Sequence, residues 1–185
     1  MDDFLRRIFR MLNKYFMVPA FRLGLGPLMG SPPSGYIMVL KTIGRKTGLV
    51  RYAPVNYALI DGYIYCLSGF GKAAHWYKNL QANPQLDLIL PSATLSGMAA
   101  TVNDQDEWLR ACRQILKNSG FAGFLAGYNA WTISDNDLLD KGAEMVVLRI
   151  TPNGVFAGAA DPGGKLWLWL TLATILVVAG LVLHP

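Results

Sequence analysis

The sequence is poor in the residues that most enzymes use for chemistry. It has two cysteines and two histidines in 185 residues. Cys66 and Cys112 stand far apart, in neither a CxxC nor a metal-ligand spacing, which argues against a redox pair and against a disulfide. Cys66 falls in an apolar strand pattern and Cys112 in a helical one, so both read as buried thiols. With His75 and His184 as the only imidazoles, a protein-ligated zinc site lacks ligands, and no metal is expected. The GxxxxGK[ST] spacing of a Walker A loop is absent. A secretory signal is also missing, since Met1-Asp2-Asp3 is acidic and the stretch after it is amphipathic. The expected compartment is therefore the cytoplasm. Charge is scarce overall, at 16% of residues against 52% hydrophobic.

Acids are scarcest in the first half. Met1 to Lys78 holds eleven Lys and Arg against Asp2, Asp3 and Asp61, whereas Asn79 to Pro185 holds six basic and nine acidic residues. So lopsided a split points to an anionic partner for the N-terminal half: a phosphate-bearing cofactor, anionic lipid headgroups or nucleic acid. A solvated basic face is the plainer alternative.

Phe4 to Met17 reads as a helix, with Phe4, Leu5, Ile8, Met11, Leu12, Tyr15 and Phe16 at three- and four-residue steps and Arg6, Arg7, Arg10 and Lys14 opposite. Such a basic amphipathic helix suits a membrane headgroup region, or a domain surface with a wet basic face. Val18 to Gly35 is rich in Gly and Pro and should be irregular. Strand patterns then follow at 36–42, 50–60, 63–68, 86–90, 94–102 and 145–151, mostly at hairpin distance, with Asp61-Gly62 a standard hairpin signal. Helices are expected over 74–83, stopped by Pro84, and from the Asp104 cap to about Lys117. Six short strands with such connections suggest an α+β domain, a six-stranded antiparallel β-barrel with flanking helices. A doubly wound parallel sheet would need longer crossovers than the chain has room for.

Leu166 to Leu183 is an 18-residue run without charge, with Trp167 and Trp169 at its near end. As a helix it would span roughly 27 Å, close to the hydrocarbon thickness of a bilayer. The expected organisation is thus a basic helix over 1–17, a barrel domain over 18–157, a linker over 158–165 and a transmembrane helix over 166–183. That would make a single-pass cell-membrane protein with its catalytic domain on the cytoplasmic side.

Two segments carry the candidate chemistry. In Thr42-Ile43-Gly44-Arg45-Lys46-Thr47-Gly48-Leu49-Val50-Arg51, two glycines bracket an Arg-Lys pair and a hydroxyl within a hairpin turn, and Arg51 projects from the next strand. Backbone N–H groups and cations can converge there on one anion, the plainer alternative being an ordinary charged hairpin. In Ser68-Gly69-Phe70-Gly71-Lys72-Ala73-Ala74-His75-Trp76, a glycine-rich loop enters a short helix whose N-terminus favours negative charge. Trp76 offers a flat apolar face, although on spacing alone Trp76 and Leu80, one turn apart, read as core contacts.

The Gly44-Arg45-Lys46-Thr47-Gly48 turn, Arg51, Pro54 and Trp76-Tyr77-Lys78-Asn79-Leu80-Gln81-Ala82-Asn83-Pro84 together resemble the signature of the deazaflavin-dependent nitroreductase family. The likeness runs from about Asn13 to Thr151. It implies a split β-barrel of the flavin-binding type that uses coenzyme F420, with FMN as the alternative cofactor of the same fold. It further implies that Gly44, Arg45, Lys46, Thr47 and Arg51 hold the cofactor phosphate and acidic tail. Gly69, Phe70, Gly71, Lys72 and Trp76 would then border the tail or ring. The polyglutamate tail of the cofactor gives the basic half a purpose. By the same resemblance the enzyme is an oxidoreductase that passes hydride from the reduced deazaflavin to a quinone-like acceptor such as menaquinone, or to a nitroaromatic. The acceptor would lie under Phe121, Phe124, Tyr128 and Trp131, with Tyr128 as the catalytic candidate. A membrane anchor would hold the enzyme near a lipid-soluble acceptor. A non-catalytic module binding anionic lipid would leave the paired motifs unexplained, and no nucleic-acid partner is expected.

Overall fold

The computed structural model describes residues 11–26, 35–125, 127–155, 172–177 and 179–180. Its centre is a closed antiparallel barrel in the order β1-β2-β3-β6-β5-β4, from β1 (Ile37–Ile43), β2 (Val50–Ile60), β3 (Tyr63–Ser68), β4 (Gln85–Ile89), β5 (Thr94–Thr101) and β6 (Val146–Val155). β1, β3 and the first half of β6 bury successive residues, because both of their faces are covered there. Met38, Leu40, Ile64, Cys66, Leu86, Leu88, Leu148 and Ile150 form the inner cluster. The alternate residues Tyr65 and Val147 pack outward against a second cluster with Ala111, Cys112, Ile115 and Leu138, while Val39 and Ile89 meet Met17 and Phe21 in a third. Both thiols are fully buried, and burial pushes each up to about 12.

Helices pack around the barrel: α1 (Val18–Arg22), α2 (His75–Ala82), α3 (Gln105–Lys117), α4 (Phe121–Leu125) and α5 (Asp135–Gly142). Asp104 caps α3, accepting from the Glu107 N–H at 2.8 Å. The helix that positions the candidate site is α2. Tyr77 and Leu80 join the inner cluster, so α2 packs into the barrel core, while His75, Trp76 and Asn79 are left toward a groove.

The structure differs from the sequence pattern in two places. The Gly and Pro content of Val18 to Gly35 predicts an irregular segment, yet α1 continues the helical turns of Asn13–Met17. Those turns are π-wound, with the Val18 N–H reaching Asn13 O. Pro19 offers no N–H to the preceding turn, and a widened turn accommodates that loss within a continuous helical run. Residues 1–10 and 27–34 lie outside the described residues.

The expected transmembrane helix, and with it the single-pass membrane placement, is corrected. Among the described residues no helix is long and apolar enough to cross a membrane. In the 166–183 run helix is found at 172–177 and 179–180. The other positions of that run and the 158–165 linker lie outside the described residues.

Candidate functional site

The site begins at the β1–β2 turn. Gly44 O accepts from Thr47 N at 3.2 Å and Gly48 N at 2.8 Å, and Gly44 N donates to Leu49 O at 2.8 Å. Gly48 completes the reversal at φ 67°, a left-handed value that a side chain would resist. So tight a turn pushes its side chains outward, and Arg45, Lys46 and Thr47 are all exposed. Arg51 stands in register opposite Thr42 on β1 and donates to Thr47 Oγ1 at 3.4 Å.

The turn is pinned to α2 from below. Asn79 is buried at 5% exposure, and its Oδ1 accepts both from the Arg45 backbone N–H at 3.2 Å and from Arg45 Nη1 at 3.1 Å. Arg45 Nη1 also donates to His75 O at 3.4 Å. Between turn and helix lies a cavity of about 480 Å³ lined by Gly44, Arg45, Lys46, Thr47, Arg51, Tyr52, Ala53, His75, Trp76 and Asn79. A second cavity of about 770 Å³ shares Arg51, Tyr52, Ala53, His75 and Trp76 with it and continues past Lys14, Val18, Pro54, Phe70, Ala73 and Ala74. The two form one groove. Its first part is polar and cationic, its second largely apolar and aromatic, and no acid stands among the described residues that line it.

The start of α2 opens into both parts. Ala74 at its N-cap brings no side-chain cap, which leaves the first turn's N–H groups to water or a ligand. A helix N-terminus flanked by Arg45 and Arg51 is suited to a phosphate. Beyond it Tyr52, Phe70 and Trp76 offer flat apolar surface for a ring. Nothing in the lining pairs a nucleophile with a base, so the groove suits binding and orienting a reactive molecule rather than covalent catalysis.

The structure brings together Gly44, Arg45, Lys46, Thr47, Arg51 and Trp76, with Phe70 in the second part. Gly69, Gly71 and Lys72 do not line the groove. Gly71 instead shapes its wall: at φ 55° it lies so close to the Glu144 carbonyl that no side chain fits, and its own carbonyl accepts from Ser68 Oγ at 2.8 Å. Tyr128 is not brought to the groove. With Phe121, Phe124 and Trp131 it lines a separate cavity of about 670 Å³ that shares no residue with it. The phenol of Tyr128 donates to Lys141 O at 3.0 Å, and burial and then the neighbouring Cys112 push its pKa up. Asn79, Tyr52 and Lys14 join the groove without being singled out by any motif as site residues. Asn79 alone carries a signal in the sequence, as a polar residue one turn from His75 on the same face of α2.

The model of the F420H(2)-dependent quinone reductase family matches residues 21–132, more than half of the chain. Comparison with curated proteins finds no match. Among solved structures, a conserved hypothetical protein from Mycobacterium tuberculosis is 18% identical with a TM-score of 0.48, covering 65% of this chain and 75% of its own. A putative 5-nitroimidazole antibiotic resistance protein from Bacteroides thetaiotaomicron is 13% identical with a TM-score of 0.47, covering 65% and 74%. An F420-H2 dependent reductase is 19% identical with a TM-score of 0.42, covering 62% and 91%.

Proposed function

The chain belongs to the F420H(2)-dependent quinone reductase family, and on that basis we propose that the groove between the Gly44–Gly48 turn and α2 binds the deazaflavin and presents it to a quinone. The protein is an F420-dependent reductase, and coenzyme F420 is its cofactor. The residues present fit that group. Its phosphate and polyglutamate tail suit the cationic part, at Arg45, Lys46, Thr47, Arg51 and the uncapped start of α2. Its flat ring system suits the apolar part, along Tyr52, Ala53, Pro54, Phe70 and Trp76.

When bound, the cofactor supplies the hydride. Arg45, Lys46 and Arg51 would neutralise its tail, and Trp76 and Phe70 would hold its ring system in the apolar part of the groove. A quinone in the second cavity would take up two electrons as that hydride, together with one proton from solvent, to give the hydroquinone. Menaquinone is the acceptor we favour, since the walls meeting it, Val18, Val50 and Phe70, are apolar. A nitroaromatic would use the same walls. The observation that carries the reading is the joining of an acid-free cationic cavity to an aromatic one across Arg51, Tyr52 and Trp76.

The test is a titration of the purified protein with F420 and with FMN, followed by mixing of the reduced complex with menaquinone. F420 should bind, with affinity falling about tenfold in Arg45→Ala and again in Lys46→Ala, and menaquinone should reoxidise the complex. Preferential retention of FMN would overturn the cofactor placement. Binding without reoxidation would overturn the acceptor.

A further inference from the structure

Arg45 is held by a residue that is itself held. Asn79 Nδ2 donates to Thr42 Oγ1 at 3.4 Å, and Thr42 Oγ1 donates to Arg51 O at 3.5 Å. Thr42 is 1% exposed and lines no part of the groove. Its hydroxyl has a single proton, and that proton goes to Arg51 O. The oxygen is therefore left to accept, and it accepts from the Asn79 amide nitrogen. That choice fixes the amide: with Nδ2 turned to Thr42, Oδ1 must face Arg45.

We propose that Thr42 and Asn79 form a buried positioning relay, which sets Arg45 toward the cofactor's anion without neutralising its charge. The proposal rests on the placement of that anion at Arg45. The choice of an amide matters. A carboxylate in place of Asn79 would hold the guanidinium more strongly but would cancel the charge that the anion needs. A neutral acceptor pins two donors of Arg45, the backbone N–H and Nη1, and leaves the rest of the fork and the full positive charge to the groove. The relay also ties the two cations together. Its far end is the backbone of Arg51, so Arg45 and Arg51 are set relative to one another through Thr42 and Asn79 rather than independently.

The experiment is a fluorescence titration with F420, paired with thermal unfolding of the cofactor-free protein, on Thr42→Val, Thr42→Ser and Asn79→Asp, and on Thr42→Val combined with Arg45→Ala. Valine matches threonine in shape and removes the hydroxyl. Thr42→Val should raise the F420 Kd about tenfold, Thr42→Ser should restore it, and in the Arg45→Ala background Thr42→Val should change the Kd by less than about twofold. Asn79→Asp keeps the acceptor for Arg45, and it should unfold near the wild-type temperature while binding F420 more weakly. An equal loss from Thr42→Val with and without Arg45, or wild-type affinity in Asn79→Asp, would overturn the relay and leave these residues as scaffold only. Unchanged F420 affinity in Arg45→Ala alone would overturn the placement of the anion, and the relay with it.

Discussion

Gly71→Ala is the sharpest test of how the groove wall is built. The substitution adds one carbon at a residue held at φ 55°, where the new Cβ would lie deep inside van der Waals contact with the Glu144 carbonyl oxygen and 3.2 Å from its carbon. Left-handed backbone at a residue with a side chain costs about 1–2 kcal/mol. Overpacking against a backbone atom that cannot rotate away costs about 1–3 kcal/mol more. Together they give about 3 kcal/mol, which in a domain of this size lowers Tm by roughly 10 °C. The control is Gly69→Ala, two residues away in the same loop, where a Cβ meets nothing within 4 Å and the backbone is not left-handed. Its Tm should stay within about 2 °C of wild type. Thermal unfolding of all three proteins is followed by circular dichroism, with F420 titration of each below its transition. Gly71→Ala should also bind F420 more weakly, because the loop carries Phe70 on the groove wall. Wild-type stability in Gly71→Ala, or equal destabilisation by both substitutions, would show that the Glu144 contact does not shape the wall.

Other expectations come from the charges and buried groups. Affinity for F420 should fall with added salt, and Arg51→Ala should reduce both the affinity and the steepness of that fall, as measured by titration between low and moderate ionic strength. Glu107 accepts from Tyr65 at 2.7 Å and from Arg149 at 3.1 Å on the barrel's outer face. Glu107→Ala leaves the part-buried Tyr65 hydroxyl and Arg149 without that partner, so it should cost about 1–2 kcal/mol in chemical denaturation while F420 affinity is unchanged. The thiols set an alkaline limit. Burial raises Cys66 from 9.0 to about 12, so the unfolded chain loses that proton first. Stability from this group is complete below pH 9.0 and declines toward pH 12, by up to about 1.4 kcal/mol per pH unit for one thiol. Denaturation midpoints of Cys66→Ala should fall less steeply than wild type across that window.

The strands are legible in the sequence because they lie at hairpin distance and carry apolar residues, which the closed barrel buries on both faces in β1 and β3. The cationic turn is legible for a related reason, since its glycines and its charges are adjacent in the chain. What local pattern cannot reveal lies in contacts between distant segments. Asn79 serves Arg45 across 34 positions. Nothing near Gly71 says that the Glu144 carbonyl will press on it, so a residue that shapes the wall looks like one that touches the ligand. The aromatics from Phe121 to Trp131 have the composition of a cover for the acceptor. Their placement around a different cavity depends on how α4 and the turns after it pack, which periodicity does not encode.

The strand order has a consequence for how the chain is made. β6 (Val146–Val155), the last of the described strands in sequence, lies between β3 and β5. Until it leaves the ribosome, β3 and β5 present open edges with unsatisfied hydrogen bonds to any other strand nearby. The groove's described residues all precede Leu80, so the nascent chain carries all of them long before the cylinder that supports them can be completed. A fragment truncated before Val146 should therefore contain every groove residue, bind F420 poorly and aggregate readily. Closing the cylinder thus falls to a ten-residue strand made after every described residue of the groove.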